Sequence, residues 1–372
     1  MIGVCKIFWH CGRLFHSENA YGLTGCLTGL WLEWGRFTII AQAAGRICVP
    51  KSFAGFEANP SPRYVFRRPF LYPPPYTSAM TPNAPLQHIT LIGVGLIGGS
   101  FVLDLKRLGW VQTVTGIDLD RDNLDRALER RVIDKAFTEI NAESIGHADL
   151  VLIATPVSTF PTICQAIAPL LAPEAYVSDV GSTKRTAIAA FRQYLPERIS
   201  HCIAAHPIAG SDRSGALAAQ FGLYQDKKLI ITTHGQERPE GIALIKSLWQ
   251  AVGAQTFEMS AEEHDAVFAS VSHMPHLTAF AYVHQIADHP DGQEYLKFAA
   301  SGFRDFTRIA SSHPAIWTDI CLDNKNSLIK LIAGLHDQLS KLERILEQEN
   351  RDALYRYFEE AKQTRDEWLG SQ

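Results

Sequence analysis

Three kinds of residue stand at spacings that suit chemistry on a small acidic molecule. The turn Gly93-Val94-Gly95-Leu96-Ile97-Gly98 is followed, twenty residues past Gly98, by Asp118. In such a turn the first glycine permits a tight bend, the second lets backbone approach a pyrophosphate, and the third lets helix and strand pack closely. Leu96 and Ile97 then open a helix whose free N–H groups and partial positive charge face the phosphates. A carboxylate at Asp118 accepts hydrogen bonds from the ribose hydroxyls and repels a 2′-phosphate, which favours NAD over NADP. Arg121, three residues further on, leaves NADP disfavoured rather than excluded. The plain alternative for Asp118 is a helix cap or loop acid.

The second kind is histidine. His206, in Ala205-His-Pro-Ile-Ala-Gly-Ser-Asp212, ends an apolar run, and its ordinary pKa lets it take a hydroxyl proton as hydride leaves the adjoining carbon. The alternative is a turn histidine held by Pro207. His273 and His276, in Ser272-His-Met-Pro-His276, have the separation of a metal pair, but no third ligand stands at a supporting spacing. No metal is expected there, and a substrate-side or core role fits better. The third kind is arginine: Arg304 and Arg308 flank Asp305 among aromatics, with Trp317 following. Guanidinium binds carboxylate as a fork, which suits an acidic substrate; a salt-bridge network with Asp305 is the alternative.

These residues need elements to hold them. His88–Ile92 reads as a strand, Leu96–Leu108 as a helix stopped by Gly109, and Thr113–Asp118 as a second strand, the context that the glycine turn requires. Apolar strands recur at 149–154, 176–180, 199–206 and 228–233, with a last short one near 255–258 and helices between. Continuous apolar strands alternating with helices predict a parallel sheet covered on both faces, with ligands beyond the strands' carboxyl ends. That rule draws attention to Thr155, Asp179, Ser182 and His206; Thr155, the helix-starting Pro156 and Asp179 are candidates for contact with the cofactor. After 259 the strand signals stop. Ser260-Ala-Glu-Glu263 is a capping box opening a helix to about His284. Leu328, Ile332, Leu335, Leu339, Leu342 and Leu346 form an a/d seam, with a further helix at 352–369 folding back along it. The expectation is an α/β Rossmann domain over 85–258 and an all-helical domain over 259–372 that completes the site and forms a homodimer.

With 372 residues, 46% hydrophobic, 20% charged and a net charge of −4, the chain suits about two globular domains, and nothing in its charge invites nucleic acid or an anionic membrane. Seven cysteines without a CxxC pair suit free thiols in a reducing cytoplasm. Residues 1–79 differ: eight Lys/Arg face three Glu and no Asp, with four of the cysteines and seven of the nineteen prolines. Residues 1–84 are therefore expected to be a disordered or non-native extension, with Met80 a natural alternative start.

The segments LIGVGLIGGS (91–100), ATPV (154–157), DVGSTK (179–184), AHPIAGSD (205–212), SHMPH (272–276) and GFRDFTRIASS (302–312), with Trp317, together resemble the prephenate/arogenate dehydrogenase family of tyrosine biosynthesis. The resemblance runs from about 85 to 320, and residues 1–79 have no counterpart in it. It implies oxidative decarboxylation of prephenate, or of arogenate, with NAD and without a metal. It implies that His206 is the partner of the substrate hydroxyl and that Ser182 orients it. It also implies that Arg308 binds a substrate carboxylate, with His276 lining the pocket and Asp212 near its mouth. Prephenate is the preferred substrate, with arogenate or broad specificity the alternative. A β-hydroxyacid dehydrogenase is a more distant reading, and would need a lysine where this chain has SHMPH. An NAD-sensing protein would have no use for His206, Ser182 and Arg308.

Overall fold

A computed structural model describes the backbone of 32–34 and 37–39, and residues 86–210 and 215–371. The chain divides into two compact units, Met1–Thr77 and Ser78–Gln372. In the first, Leu32–Trp34 pairs antiparallel with Phe37–Ile39. The rest of 1–85, Met80 included, lies outside the described residues.

The second unit is built on an eight-stranded sheet. Its strands are β1 (Leu86–Ile92), β2 (Val111–Ile117), β3 (Lys135–Phe137), β4 (Leu150–Ile153), β5 (Tyr176–Asp179), β6 (Cys202–Ile208), β7 (Lys228–Thr233) and β8 (Gln255–Ser260). They lie in the order β3-β2-β1-β4-β5-β6-β7-β8. The first six follow the doubly wound dinucleotide-binding order, whose switch point falls between β1 and β4. Helices α1 (Leu96–Arg107), α2 (Arg121–Glu129), α3 (Ala142–Ile145), α4 (Phe160–Ile167), α5 (Lys184–Tyr194) and α6 (Pro239–Ala251) connect them. Strand β4 shows why both faces are covered: Leu150 and Leu152 enter one core layer, Val151 and Ile153 the other. The first layer holds Phe101 of α1 stacked on Trp249 of α6 at 4.0 Å; the second holds Phe160 of α4 and Phe191 of α5.

The sheet is not wholly parallel, as the strand pattern had suggested. β6 and β7 pair antiparallel, and β7 and β8 run parallel to each other. The cause is the connections. Between β6 and β7 the described chain has only a short 3-10 turn, Ala216–Ala218, and no crossover helix, whereas α6 carries β7 back to β8.

From Ala261 onward the described chain is helical: α7 (Ala261–Phe268), α8 (Met274–Ala287), α9 (Gly292–Leu296), α10 (Ser301–Thr307), α11 (Pro314–Asp323), α12 (Lys325–Glu347) and α13 (Arg351–Gly370). Ser260 caps α7 by accepting from Glu263 N at 3.1 Å. The single helix expected to His284 is interrupted by a π turn at Ala269–His273. Pro275 follows directly; its ring offers no N–H and crowds the preceding turn, and a widened turn absorbs the conflict. α13 does fold back on α12, with Tyr357 Oη donating to Gln338 Oε1 at 3.2 Å and Lys341 over the Tyr357 ring. Of the seam, Leu328 is buried, while Leu339 and Leu346 are 54% and 58% exposed. No helix among the described residues is long and apolar enough to cross a membrane.

Candidate active site

The glycine turn joins β1 to α1 at the switch point. Gly93 has φ +90°, and its N–H donates to Ile117 O at 2.8 Å. A Cβ there would stand 2.7 Å from the Ala154 carbonyl oxygen, so a side chain is excluded by both conformation and space. At Gly98 a Cβ would meet Leu91 Cδ1 at 2.4 Å and Ala154 Cβ at 2.8 Å, so helix and sheet approach too closely for any other residue. Gly95 is the opposite case: a Cβ would meet nothing within 4 Å. It is the N-cap of α1, and no side chain caps the first turn, where Leu96 and Ile97 lie. An open backbone face before uncapped N–H groups is what a phosphate requires.

Asp118 sits half-buried just past β2. Its carboxylate accepts from Val94 N (3.0 Å), Asp120 N (3.0 Å) and Asn123 Nδ2 (3.1 Å). Asn123 also donates to Val94 O at 2.8 Å, so turn, acid and α2 are tied in one knot. Arg121 is engaged with Asp125 at 3.1 Å. Beyond β4, Thr155 Oγ1 lies 2.8 Å from Thr159 Oγ1, and Pro156 begins the turn into α4. Asp179, a cofactor candidate at the end of β5, has a fully buried carboxylate. It pairs with Lys184 Nζ and accepts from Gly181 N (2.8 Å) and Ala205 N (3.1 Å), while Lys184 also donates to Ala205 O at 2.6 Å. Burial pushes the Asp179 carboxyl up and the Lys184 ammonium down, and their contact opposes both. This pair fastens the β5–α5 turn to β6.

His206 stands near the carboxyl end of strand β6. Its Nδ1 lies 2.9 Å from His264 Nε2, and His264 Nδ1 lies 2.8 Å from Asp265 Oδ1. Burial, aided by the charges of His264, Lys184 and His273, drives the His206 pKa well below the ordinary value, so the ring is neutral. Ser182 is half-buried in the turn before α5, two residues from Lys184. The ring bond seen at His206 Nδ1 thus runs to His264 rather than to this serine. Sequence reasoning missed His264 and Asp265 because it took 260–263 only as a cap. One signal was present: with Ala261 and Phe268 they occupy the inward positions of α7, where a histidine and an aspartate are unusual.

The helical half closes over this group. Asp265 accepts from Lys184 N, Arg185 N and Arg185 Nε, and Arg185 reaches Asn324 Oδ1 at 3.0 Å. Thr183 Oγ1 donates to Asp323 Oδ2 at 2.8 Å, and Ser158 Oγ to Asp319 Oδ2 at 2.5 Å. α11 is therefore anchored on the turns that follow β4 and β5.

His276 stacks on Trp317, and its Nδ1–H donates to Ser272 O at 2.9 Å. Burial first, and then the charge of Arg308, lowers its pKa. His273 meets the same Trp317 ring edge-on, so the two histidines share one indole. Arg308 opens the 3-10 segment Arg308–Ser311 and is exposed, as are Arg304 and Asp305 on α10. Asp212 falls in 211–214, outside the described residues. Among the described residues no three His, Cys, Asp or Glu side chains gather as metal ligands.

Two family models match the chain: "Prephenate dehydrogenase, nucleotide-binding domain" over 101–258 and "Prephenate dehydrogenase, dimerization domain" over 260–360. The prephenate dehydrogenase of Bacillus subtilis is 37% identical over 280 residues, covering 75% of each chain. The cyclohexadienyl dehydrogenase of Zymomonas mobilis is 32% identical over 281 residues, covering 75% of this chain and 95% of its own. Among solved structures, prephenate dehydrogenase from A. aeolicus in complex with hydroxyphenyl propionate and NAD+ superimposes with a TM-score of 0.71 at 34% identity, covering 76% of this chain and 98% of that one.

Proposed function

The chain belongs to the prephenate dehydrogenase family, and on that footing we propose that it converts prephenate to 4-hydroxyphenylpyruvate by NAD-dependent oxidative decarboxylation. The observation that carries this reading is a buried, neutral His206 near the carboxyl end of β6, in the same sheet whose β1 end carries the glycine turn, with an exposed arginine, Arg308, in the helical half. A proton acceptor and a carboxylate-binding cation are what oxidation of a small dianion needs.

Gly93, Gly95, Leu96, Ile97, Gly98, Asp118, Thr155 and Pro156 would hold NAD, with its pyrophosphate at the start of α1 and its ribose at Asp118. When bound, NAD supplies the hydride acceptor. His206 takes the proton of the ring hydroxyl as the C–H electron pair leaves that carbon as hydride. The bond from the ring to its carboxylate then breaks and releases CO₂. Its electrons complete the aromatic ring onto the former hydroxyl oxygen, which recovers the proton. Aromatisation drives the step, so the protein's task is alignment and charge. Arg308 binds a substrate carboxylate, with Trp317 and His276 as the pocket wall and Asp305 at its rim. Ser182 helps to orient the hydroxyl.

A second reading, a broad cyclohexadienyl dehydrogenase that also accepts arogenate, is favoured by the likeness to the Z. mobilis enzyme. We further assign residues 85–258 to the nucleotide domain and 259–372 to a helical domain that forms a homodimer. The apolar side chains left exposed on α12 and α13, Leu339, Leu346 and Phe358, support that assembly. Free thiols at Cys164, Cys202 and Cys321 suit the cytoplasm. The test is nicotinamide reduction by the full chain with NAD, offering prephenate and arogenate in parallel. Reduction with prephenate supports the reading, reduction with arogenate alone replaces its substrate, and reduction with neither overturns it.

A further inference from the structure

One carboxylate and two imidazoles stand in line: Asp265, His264 and His206, at 2.8 and 2.9 Å. The protons along this line can be placed. Asp265 accepts from the backbone N–H of Lys184 (2.8 Å) and Arg185 (3.1 Å) and from Arg185 Nε (3.0 Å). Burial alone would raise its pKa, but these bonds and the one from His264 hold it at about 2, so it is an acceptor at every relevant pH. His264 therefore carries its proton on Nδ1. His264 is fully buried, and burial keeps it neutral, which leaves its Nε2 bare. The proton in the next bond must then belong to His206 Nδ1. A neutral His206 so protonated has a bare Nε2.

We propose that His264, oriented by Asp265, is a positioning residue that locks His206 in the Nδ1–H tautomer and so makes Nε2 the atom that receives the substrate's hydroxyl proton. This rests on the reading of His206 as the proton acceptor. An unconstrained imidazole favours the opposite tautomer, with its proton on Nε2, where it would face the hydroxyl and block transfer. The bond made by one ring nitrogen decides the state of the other. The neighbours agree. Phe268 lies against both rings, with centroids at 5.1 Å from His206 and 4.5 Å from His264, and restricts their rotation. Lys184 from α5 and His273 from the π turn oppose a resting charge on His206. Asp265 and Asp179 favour a proton on His264, and with Arg185 on the far side of Asp265 they complete the set of charges around the line.

The test is the ¹⁵N spectrum of the full chain labelled in histidine, with NAD present and His206 assigned from the His206→Asn variant. Wild type should show Nδ1 protonated and Nε2 bare. His264→Leu should move the proton to Nε2. In that variant kcat should fall by about 10²- to 10⁴-fold, as happens when a catalytic histidine is left in the wrong tautomer, with KM changed less than about threefold. His264→Gln offers an oxygen where Nε2 stood, and should restore both the wild-type tautomer and most of the turnover. A wild-type His206 protonated on Nε2, or a tautomer unchanged in His264→Leu, overturns the proposal. Should His264→Leu fail to fold, the wild-type and His264→Gln spectra still decide it. Because the spectra need no turnover, a chain that shows the expected tautomers yet oxidises neither substrate refutes the function and leaves the tautomer lock standing.

Discussion

The indole of Trp317 lies flat on the imidazole of His276, with ring centroids 3.6 Å apart and planes at 20°. The stack joins α11 to α8, and with the bond to Ser272 O it fixes the ring in both tilt and rotation. His273 meets the same indole edge-on at 6.0 Å, so a single side chain orders both histidines of that segment. Stacked aromatic pairs contribute about 0.5–1.5 kcal/mol beyond their buried area. Replacing Trp317 with leucine should therefore raise KM for prephenate by about 2- to 10-fold while the Kd for NAD stays put. A variant with unaltered KM would remove Trp317 from the substrate wall.

Arg308 is exposed, yet its charge reaches His276. That combination suits a group held ready for a ligand rather than one satisfied within the fold. A hydrogen bond to a charged group contributes about 1.5–3 kcal/mol, so Arg308→Ala should lower kcat/KM by about 10- to 100-fold, with NAD binding retained. Arg308→Lys should recover only part of this, because an ammonium cannot form the two parallel bonds of a guanidinium. Steady-state kinetics alongside an NAD titration checks both. Equal loss of NAD affinity would place Arg308 in the cofactor site instead.

What could be read from the chain alone divides along physical lines. β4 was legible because a strand buried on both faces must be apolar throughout, and Leu150–Ile153 is. The reversed direction of β7 was not, because hydrophobic periodicity carries no sign; among the described residues between Ile208 and Lys228 no crossover helix stands to carry the chain back. The strand-end rule names Asp179 but cannot see the lysine five residues on that folds back to pair with its carboxylate. His264 and Asp265 went unread because their significance lies in a contact with a residue 58 positions upstream of His264, which no local pattern encodes.

Two glycines of the turn should fail in opposite ways. Gly98→Ala puts a methyl group against Leu91 and Ala154, and overpacking of this kind costs about 1–3 kcal/mol. Gly95→Ala meets no protein atom, so its folded state should be almost untouched, while the added methyl fills the face where the pyrophosphate must come. Thermal unfolding without cofactor should separate them, with Tm lowered by several degrees in Gly98→Ala and unchanged in Gly95→Ala. NAD titration should show a loss of at least about 10-fold in Gly95→Ala. Intact NAD affinity in that variant would mean that the pyrophosphate does not lie on this turn.

Acid should destabilise the folded chain in two stages. Burial lowers the His273 pKa to about 4, whereas the unfolded chain takes up that proton near the ordinary 6.5. Between those values the unfolded state binds more protons, so stability is lost as pH falls from about 6.5 to 4 and levels off below. The difference corresponds to about 3 kcal/mol from this side chain, and His206 and His264, also lowered by burial, add to it in the same direction. Asp265 is held near 2 against an ordinary 3.8, so its contribution is present above 3.8 and disappears as pH falls through 2. Urea unfolding at pH 7, 5.5 and 4 should thus give a steadily falling free energy. His273→Phe keeps a ring against Trp317 but cannot titrate, so it should make the slope between 6.5 and 4 shallower than in wild type, with His206 and His264 supplying what remains. A slope as steep in that variant as in wild type would mean that His273 is charged in the folded chain, and that the site tolerates a second cation beside Lys184.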